Sequence, residues 1–151
     1  MVVGAGAFGK VFKGSNKADP SQKVAIKVMD KTKHSEKELD HLLGEVQLMQ
    51  NIDHPNIVKY YETYNDYKYL YIVMEMCEGG EFGEVIQSDP SSFNEVYISK
   101  QIYKLLRALS HCHSMNIIHR DIKPSNIMIG GNDHVKFIDF GIAMVMNKDN
   151  F

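Results

Sequence analysis

Apolar and polar positions along these 151 residues switch between a period of two and a period of about 3.6, and each switch marks a new kind of element. The first thirty residues read as strands. Val2 and Val3 lead into Gly4-Ala5-Gly6-Ala7-Phe8-Gly9, and Val11-Phe12-Lys13 continues extended. Gly14-Ser15-Asn16 and Asp19-Pro20-Ser21 carry turn chemistry. Val24, Ile26 and Val28 then alternate with Ala25, Lys27 and Met29. Helical spacing follows: Ser35 with Glu38 makes a capping box, and Leu39, Leu42, Leu43, Val46 and Met49 form the stripe behind it. Glu45 falls on the edge of that stripe, a position turned toward the body of the protein, where a carboxylate needs a partner. His54-Pro55-Asn56 ends the segment. Two tyrosine-rich strands are predicted around 58–64 and 69–74, joined through Asn65-Asp66.

Gly79-Gly80 breaks the chain, and the pattern beyond it is mainly helical. This predicts two parts, 1–76 and 77–151, connected through 75–78. A short helix is expected over 81–87. A longer one starts from a second capping box, Ser92 with Glu95, carries the stripe Ile98, Ile102, Leu105, Leu106, Leu109 and Cys112, and ends at Asn116. Ile117-Ile118, Ile127-Met128-Ile129 and Val135-Lys136-Phe137 read as short strands, the last two joined by a Gly130-Gly131-Asn132-Asp133 turn.

Composition narrows the class without naming a chemistry. Apolar content of 44% and charged content of 24% are those of a globular protein with a real core. A net charge of -2 gives no pull toward nucleic acid or a membrane surface. Cys77 and Cys112 are spaced neither as metal ligands nor as a redox pair, and free thiols suit a reducing compartment. No secretory leader is visible at Met1, and no apolar run approaches the ~20 residues of a membrane span. The expectation is a cytoplasmic protein, with the nucleus left open.

The chemistry lies in three motifs. His119-Arg120-Asp121-Ile122-Lys123-Pro124-Ser125-Asn126, followed by Asp139-Phe140-Gly141, places two carboxylates, an ammonium and an amide within a short stretch. That is equipment for moving a phosphoryl group: one residue to orient a hydroxyl, a cation for the phosphate, and oxygen ligands for magnesium. Gly4-x-Gly6-x-x-Gly9 alone is ambiguous, because it also fits a dinucleotide fingerprint with Asp30 about twenty residues on. A dinucleotide site needs a helix to open at the loop, whereas Lys10-Val11-Phe12-Lys13-Gly14 alternates and then turns. A glycine hairpin can instead lie over phosphates with its backbone N–H groups. Lys27, in Val24-Ala25-Ile26-Lys27, shares a face with Ala25 and Met29. By itself it reads as an exposed edge lysine, but an inward Lys27 and an inward Glu45 would supply each other's counter-charge.

Taken in order, these motifs resemble the eukaryotic-type protein kinases: glycine loop, strand lysine, helix glutamate, hinge, H-R-D…N loop and D-F-G. The resemblance implies an α+β, kinase-like bilobal fold: a small β-sheet lobe with one long helix over 1–76, and an incomplete helical lobe over 77–151. It implies ATP-dependent transfer of a phosphoryl group to serine or threonine, since a lysine two residues after the aspartate is similar to the serine/threonine branch. Asp121 would orient the substrate hydroxyl, Lys123 would neutralise the transferred phosphate, Lys27 held by Glu45 would bridge two phosphates, and Asn126 and Asp139 would hold Mg2+. For ATP, the glycines 4, 6 and 9 would cover the phosphates. Val3, Val11, Ala25, Met128 and Ile138 would pack on adenine, with Met74 as gatekeeper, Glu75 and Met76 as hinge, and Glu81 toward ribose. Met49, Tyr60, His119 and Phe140 match the stacked spine of such domains.

Within the family, Leu42-Leu43-Gly44-Glu45-Val46, His54-Pro55-Asn56-Ile57-Val58-Lys59 and Glu78-Gly79-Gly80-Glu81 are similar to the calcium/calmodulin-dependent and calcium-dependent group. No EF-hand loop pattern occurs. His111-Cys112-His113 suggests metal, but i and i+2 point apart on a helix, so surface and core roles are expected. Only 142–151 follow D-F-G, and no A-P-E segment occurs, so the resemblance covers the first part of such a domain. The expectation is therefore a kinase fragment whose substrate is a protein, with two alternatives: a nucleotide-binding but catalytically incomplete module, or an interaction module whose exposed helical surface meets a partner.

Overall fold

A computed structural model describes residues 2–6, 9–131, 134–140 and 143–146, excluding the side chains of Ala5, Gly6, His41, Leu42, Glu45 and Ser92. The chain divides into two compact units, residues 1–51 with 59–76, and residues 52–58 with 77–151.

The first unit is a five-stranded antiparallel sheet in the order β1-β2-β3-β5-β4, with one long helix. Its strands are β1 (Val2–Gly6), β2 (Gly9–Ser15), β3 (Lys23–Asp30), β4 (Tyr60–Asn65) and β5 (Tyr69–Glu75). Period-two patterning puts Ala25, Met29, Leu70, Ile72 and Met74 on one face, and all five are buried. Helix α1 (Glu36–Gln50) starts at the expected capping box: Glu38 N–H donates to Ser35 Oγ, and Ser35 N–H to the Glu38 carboxylate at 2.7 Å. Its inward seam is narrower than the predicted stripe. Val46 and Met49 are buried, whereas Leu43 is exposed. The β4–β5 turn is closed by Asp66, which accepts the Lys68 and Tyr69 N–H groups and the Tyr71 hydroxyl.

The second unit is mainly helical. Helix α2 is Phe82–Ser88 and α3 is Glu95–Ser114. Two short antiparallel ribbons join β6 (Ile117–Ile118) to β9 (Met144–Val145) and β7 (Ile127–Ile129) to β8 (Val135–Phe137). The turn expected between β7 and β8 falls partly outside the described residues, at 132 and 133.

Three expectations are corrected here. The cap of α3 is Asn94, whose Oδ1 accepts the Tyr97 N–H at 2.8 Å, and not Ser92, which lies in a 3-10 turn at Pro90–Ser92. The buried seam of α3 is Gln101, Leu105, Ala108 and Cys112, while Ile102 and Leu106 of the predicted stripe are exposed. Ala108 is small enough for close approach, and Gln101 is admitted because its Oε1 accepts the Lys104 ammonium at 3.1 Å, so hydropathy alone misplaced the face. Finally, 52–58 packs with the second unit and not with the first. Asn56 donates its side-chain amide to Val135 O at 2.8 Å, Phe137 N–H donates to Asn56 O, and Val58 N–H donates to Phe137 O. Ile52, Ile57 and Val58 are buried there.

Candidate functional site

In the first unit, strand register brings together four of the expected residues. Lys27 lies opposite Val11 on β2 and Ile72 on β5, and Ala25 lies opposite Met74. Directly opposed residues of antiparallel strands share a face, so Val11, Ala25, Lys27 and Met74 are brought onto one surface. Ala25 and Met74 are buried, and Lys27 is half-buried among them. The Glu45 side chain lies outside the described residues, so the expected ion pair with Lys27 lies outside them too. Val3 is exposed at the edge, where the β1–β2 register slips. The Glu75 N–H donates to Lys59 O at 2.8 Å and its carboxylate accepts the Lys59 N–H, so Glu75, expected at the hinge, is tied to the residue before β4. Met76 follows it half-buried.

The glycines of the hairpin are not equivalent. A Cβ added at Gly4 would make ordinary contact with Val11, at 3.8 Å. One added at Gly9, with φ of 153°, would fall on the Val28 carbonyl oxygen of the neighbouring strand. Strand packing alone therefore requires Gly9. Gly6 pairs with Gly9 across the hairpin, and residues 7–8 at its tip lie outside the described residues.

In the second unit the H-R-D…N octet forms a compact polar loop. Asn116 ends α3 in the left-handed region at φ 59°, β6 follows, and Arg120 takes φ 64°, a second left-handed turn that sets the direction of Asp121. His119 is buried, with its ring 4.4 Å from that of Phe140 and 5.1 Å from that of Phe137. Its Nδ1 accepts the Asp121 N–H at 3.2 Å, so the proton of the neutral ring belongs on Nε2. Burial pushes the His119 imidazole below its ordinary value, against the opposing charges of Asp121 and Asp139. A 3-10 turn at Pro124–Asn126 folds Asn126 back under the loop. The amide nitrogen of Asn126 donates to both the carbonyl and Oδ2 of Asp121, each at 2.8 Å, and Lys123 Nζ reaches the same Oδ2 at 2.8 Å. The Lys123 ammonium, and then the Asn126 amide, hold the Asp121 carboxyl below the usual range. Asp121 is ionised at neutral pH, with Oδ2 doubly held and Oδ1 as the oxygen that neither donor occupies.

Asn126 also reaches forward: its carbonyl accepts the Ile138 N–H at 3.1 Å, which fixes the start of Asp139-Phe140 against the loop. Asp139 and Ile138 are half-buried, and Phe140 is buried under His119. With the Asn126 nitrogen spent on Asp121, its Oδ1 is the end suited to a cation. A carboxylate and an amide oxygen on adjoining segments fit a hard ion such as Mg2+, which takes few protein ligands and completes its shell with phosphate and water. Gly141, last of the D-F-G triplet, lies outside the described residues.

The remaining expected contacts sit on a backbone clasp that sequence reasoning read only as a break. Gly79 N–H donates to Ile129 O, Ile129 N–H donates to Gly80 O, and Glu81 pairs with Met128. A Cβ at Gly79 would sit 2.6 Å from Ile129 Cβ, so the approach is possible only for glycine. The clasp brings Glu81 and Met128 together. The Gly79-Gly80 doublet beside a β-rich run was the signal that could have revealed it. His119 as the holder of the Asp121 backbone, and Asn56 as the lock on β8, were likewise missed.

The whole chain, residues 1–151, matches the family model described as protein kinase domain. It is 42% identical to calcium-dependent protein kinase 5 of Plasmodium berghei (strain Anka), over 98% of this chain and 26% of that protein. It is 37% identical to calcium-dependent protein kinase 3 of Plasmodium yoelii yoelii, over 99% of this chain and 28% of that protein. The figure is 33% for a probable serine/threonine-protein kinase, MARK-A, of Dictyostelium discoideum, over 99% of this chain and 14% of that protein. The chain thus spans about a quarter of the length of these two calcium-dependent relatives.

Proposed function

The chain belongs to the protein kinase domain family, and from that premise we propose that it serves the Mg-ATP-dependent transfer of a phosphoryl group to a serine or threonine hydroxyl of a protein. The observation that carries this reading is the doubly held Asp121. Lys123 and Asn126 fix Oδ2, so Oδ1 meets the incoming hydroxyl as an ionised, oriented acceptor. The hydroxyl oxygen bonds to the terminal phosphorus, the bond from that phosphorus to the leaving diphosphate oxygen breaks, and the hydroxyl proton passes to Asp121. Lys123 lies close enough to Asp121 to turn its charge toward the phosphoryl oxygens. Magnesium, when bound, neutralises phosphate charge, and Asn126 Oδ1 with Asp139 would hold it. On the first unit, Lys27 would take the phosphates, while Val11, Ala25 and Met74 offer an apolar surface to adenine.

The test uses the purified 151-residue chain with Mg-ATP and a serine/threonine peptide, beside Asp121→Ala and Asp139→Ala. Turnover lost in both variants supports the reading. Turnover that survives Asp139→Ala removes the assigned metal role. ATP binding without turnover in the parent chain would establish the nucleotide-binding module instead.

A further inference from the structure

We propose that His54 and His111 form an acid-sensitive latch, which holds residues 54–58 to α3 and β8 while His54 is neutral and releases them when His54 takes a proton. The geometry sets the polarity of the switch. Asn56 N–H donates to His54 Nδ1 at 3.1 Å, so this nitrogen must be unprotonated for the turn to close. A proton on Nδ1 would replace the acceptor with a second donor facing that N–H. The bond is lost and a repulsion takes its place.

The surroundings favour release over accommodation. The His54 ring lies 5.5 Å from that of His111, tilted by 33°. His111 Nε2 is buried and has no hydrogen-bond partner among the described residues, so it has little capacity to settle a neighbouring charge. Arg107 stands one helical turn before His111 on α3, and Lys136 is buried on β8. Asp53 precedes His54 on its own segment. Three basic groups from two elements, His111 and Arg107 on α3 and Lys136 on β8, thus act on His54. Burial first, and then the charges of His111, Arg107 and Lys136, push the His54 imidazole below its ordinary value, so the transition lies on the acid side of about 6.5.

What the latch holds is specific. Asn56 and Val58 carry the hydrogen bonds that run to Val135 and Phe137, and β8 leads directly into Asp139. Opening of 54–58 would strip β8 of that support while leaving the β7–β8 ribbon paired.

Amide hydrogen exchange on the whole chain, corrected for intrinsic rates, tests this between pH 7.5 and 5. Protection at Asn56, Val58 and Phe137 is expected to fall by about tenfold per pH unit once His54 protonates, while protection of Ile129 on the Gly79-Gly80 clasp stays level. His54→Gln, which cannot titrate, is expected to abolish the pH dependence at Val58 and Phe137. A dependence unchanged in His54→Gln overturns the proposal, and so does a uniform loss of protection across the second unit. Should His54→Gln fail to fold, carbon-bound proton shifts of His54 in the unsubstituted chain decide: opening that does not track the His54 titration overturns the latch.

Discussion

Asp121 owes its state to two neighbours that act on one oxygen, and this makes substitutions around it separable. Asp121→Asn keeps the size and removes the charge. Turnover with Mg-ATP is expected to drop about 10²–10⁴-fold with the melting temperature little changed, as kinetics beside a thermal melt would record. The two glycines at the ends of the hairpin motif divide differently. Gly9→Ala forces a Cβ onto the Val28 carbonyl and is expected to cost about 2–4 kcal/mol in denaturant unfolding. Gly4→Ala has room, so it should leave stability within about 1 kcal/mol. Any loss of ATP affinity at Gly4 would then report on phosphate approach and not on folding. The sequence displayed all three glycines as one motif; only the strand register separates a packing glycine from one open to a ligand.

Elements were legible where a local rule decides them. The Ser35–Glu38 box starts α1 because both bonds are made within four residues, and β3 alternates because both of its neighbours are strands. The start of α3 was misplaced because Ser92 and Asn94 both lie ahead of the same apolar run, and propensity does not rank them; the 3-10 turn at Pro90–Ser92 does. Asn94→Ala should therefore destabilise the chain by about 1 kcal/mol in urea unfolding. The face of α3 was misread for another reason: Gln101 and Ala108 score as polar and neutral, yet partner geometry buries them. Asn56→Ala belongs at this scale too, since its amide links a turn to β8. The unpaired Val135 carbonyl should cost about 1–3 kcal/mol.

For the whole molecule, the histidines whose burial makes it sensitive to acid, His54 and His119, both lie in the second unit. His119 has its imidazole lowered by burial, so the folded state prefers it neutral. Its stabilisation is fully present above about pH 6.5 and is lost as pH falls toward the lowered folded value. Melting temperature should decline below pH 6.5, and His119→Phe, which keeps a ring against Phe140, should flatten part of that slope. The division at 75–78 could be expected from the Gly79-Gly80 change in pattern, but the transfer of 52–58 could not. It depends on the Asn56 amide and on backbone bonds to a strand about eighty positions away. That transfer also bears on how the chain is made. Ile57 and Val58 leave the ribosome long before Val135–Phe137, the strand that they pair with. At about 5–20 residues per second, they wait on the order of 4–16 s without their partner. A nascent chain of this family member thus carries an apolar segment without its strand partner while about eighty further residues are made, and any chaperone that attends it has a defined address and a defined time to let go.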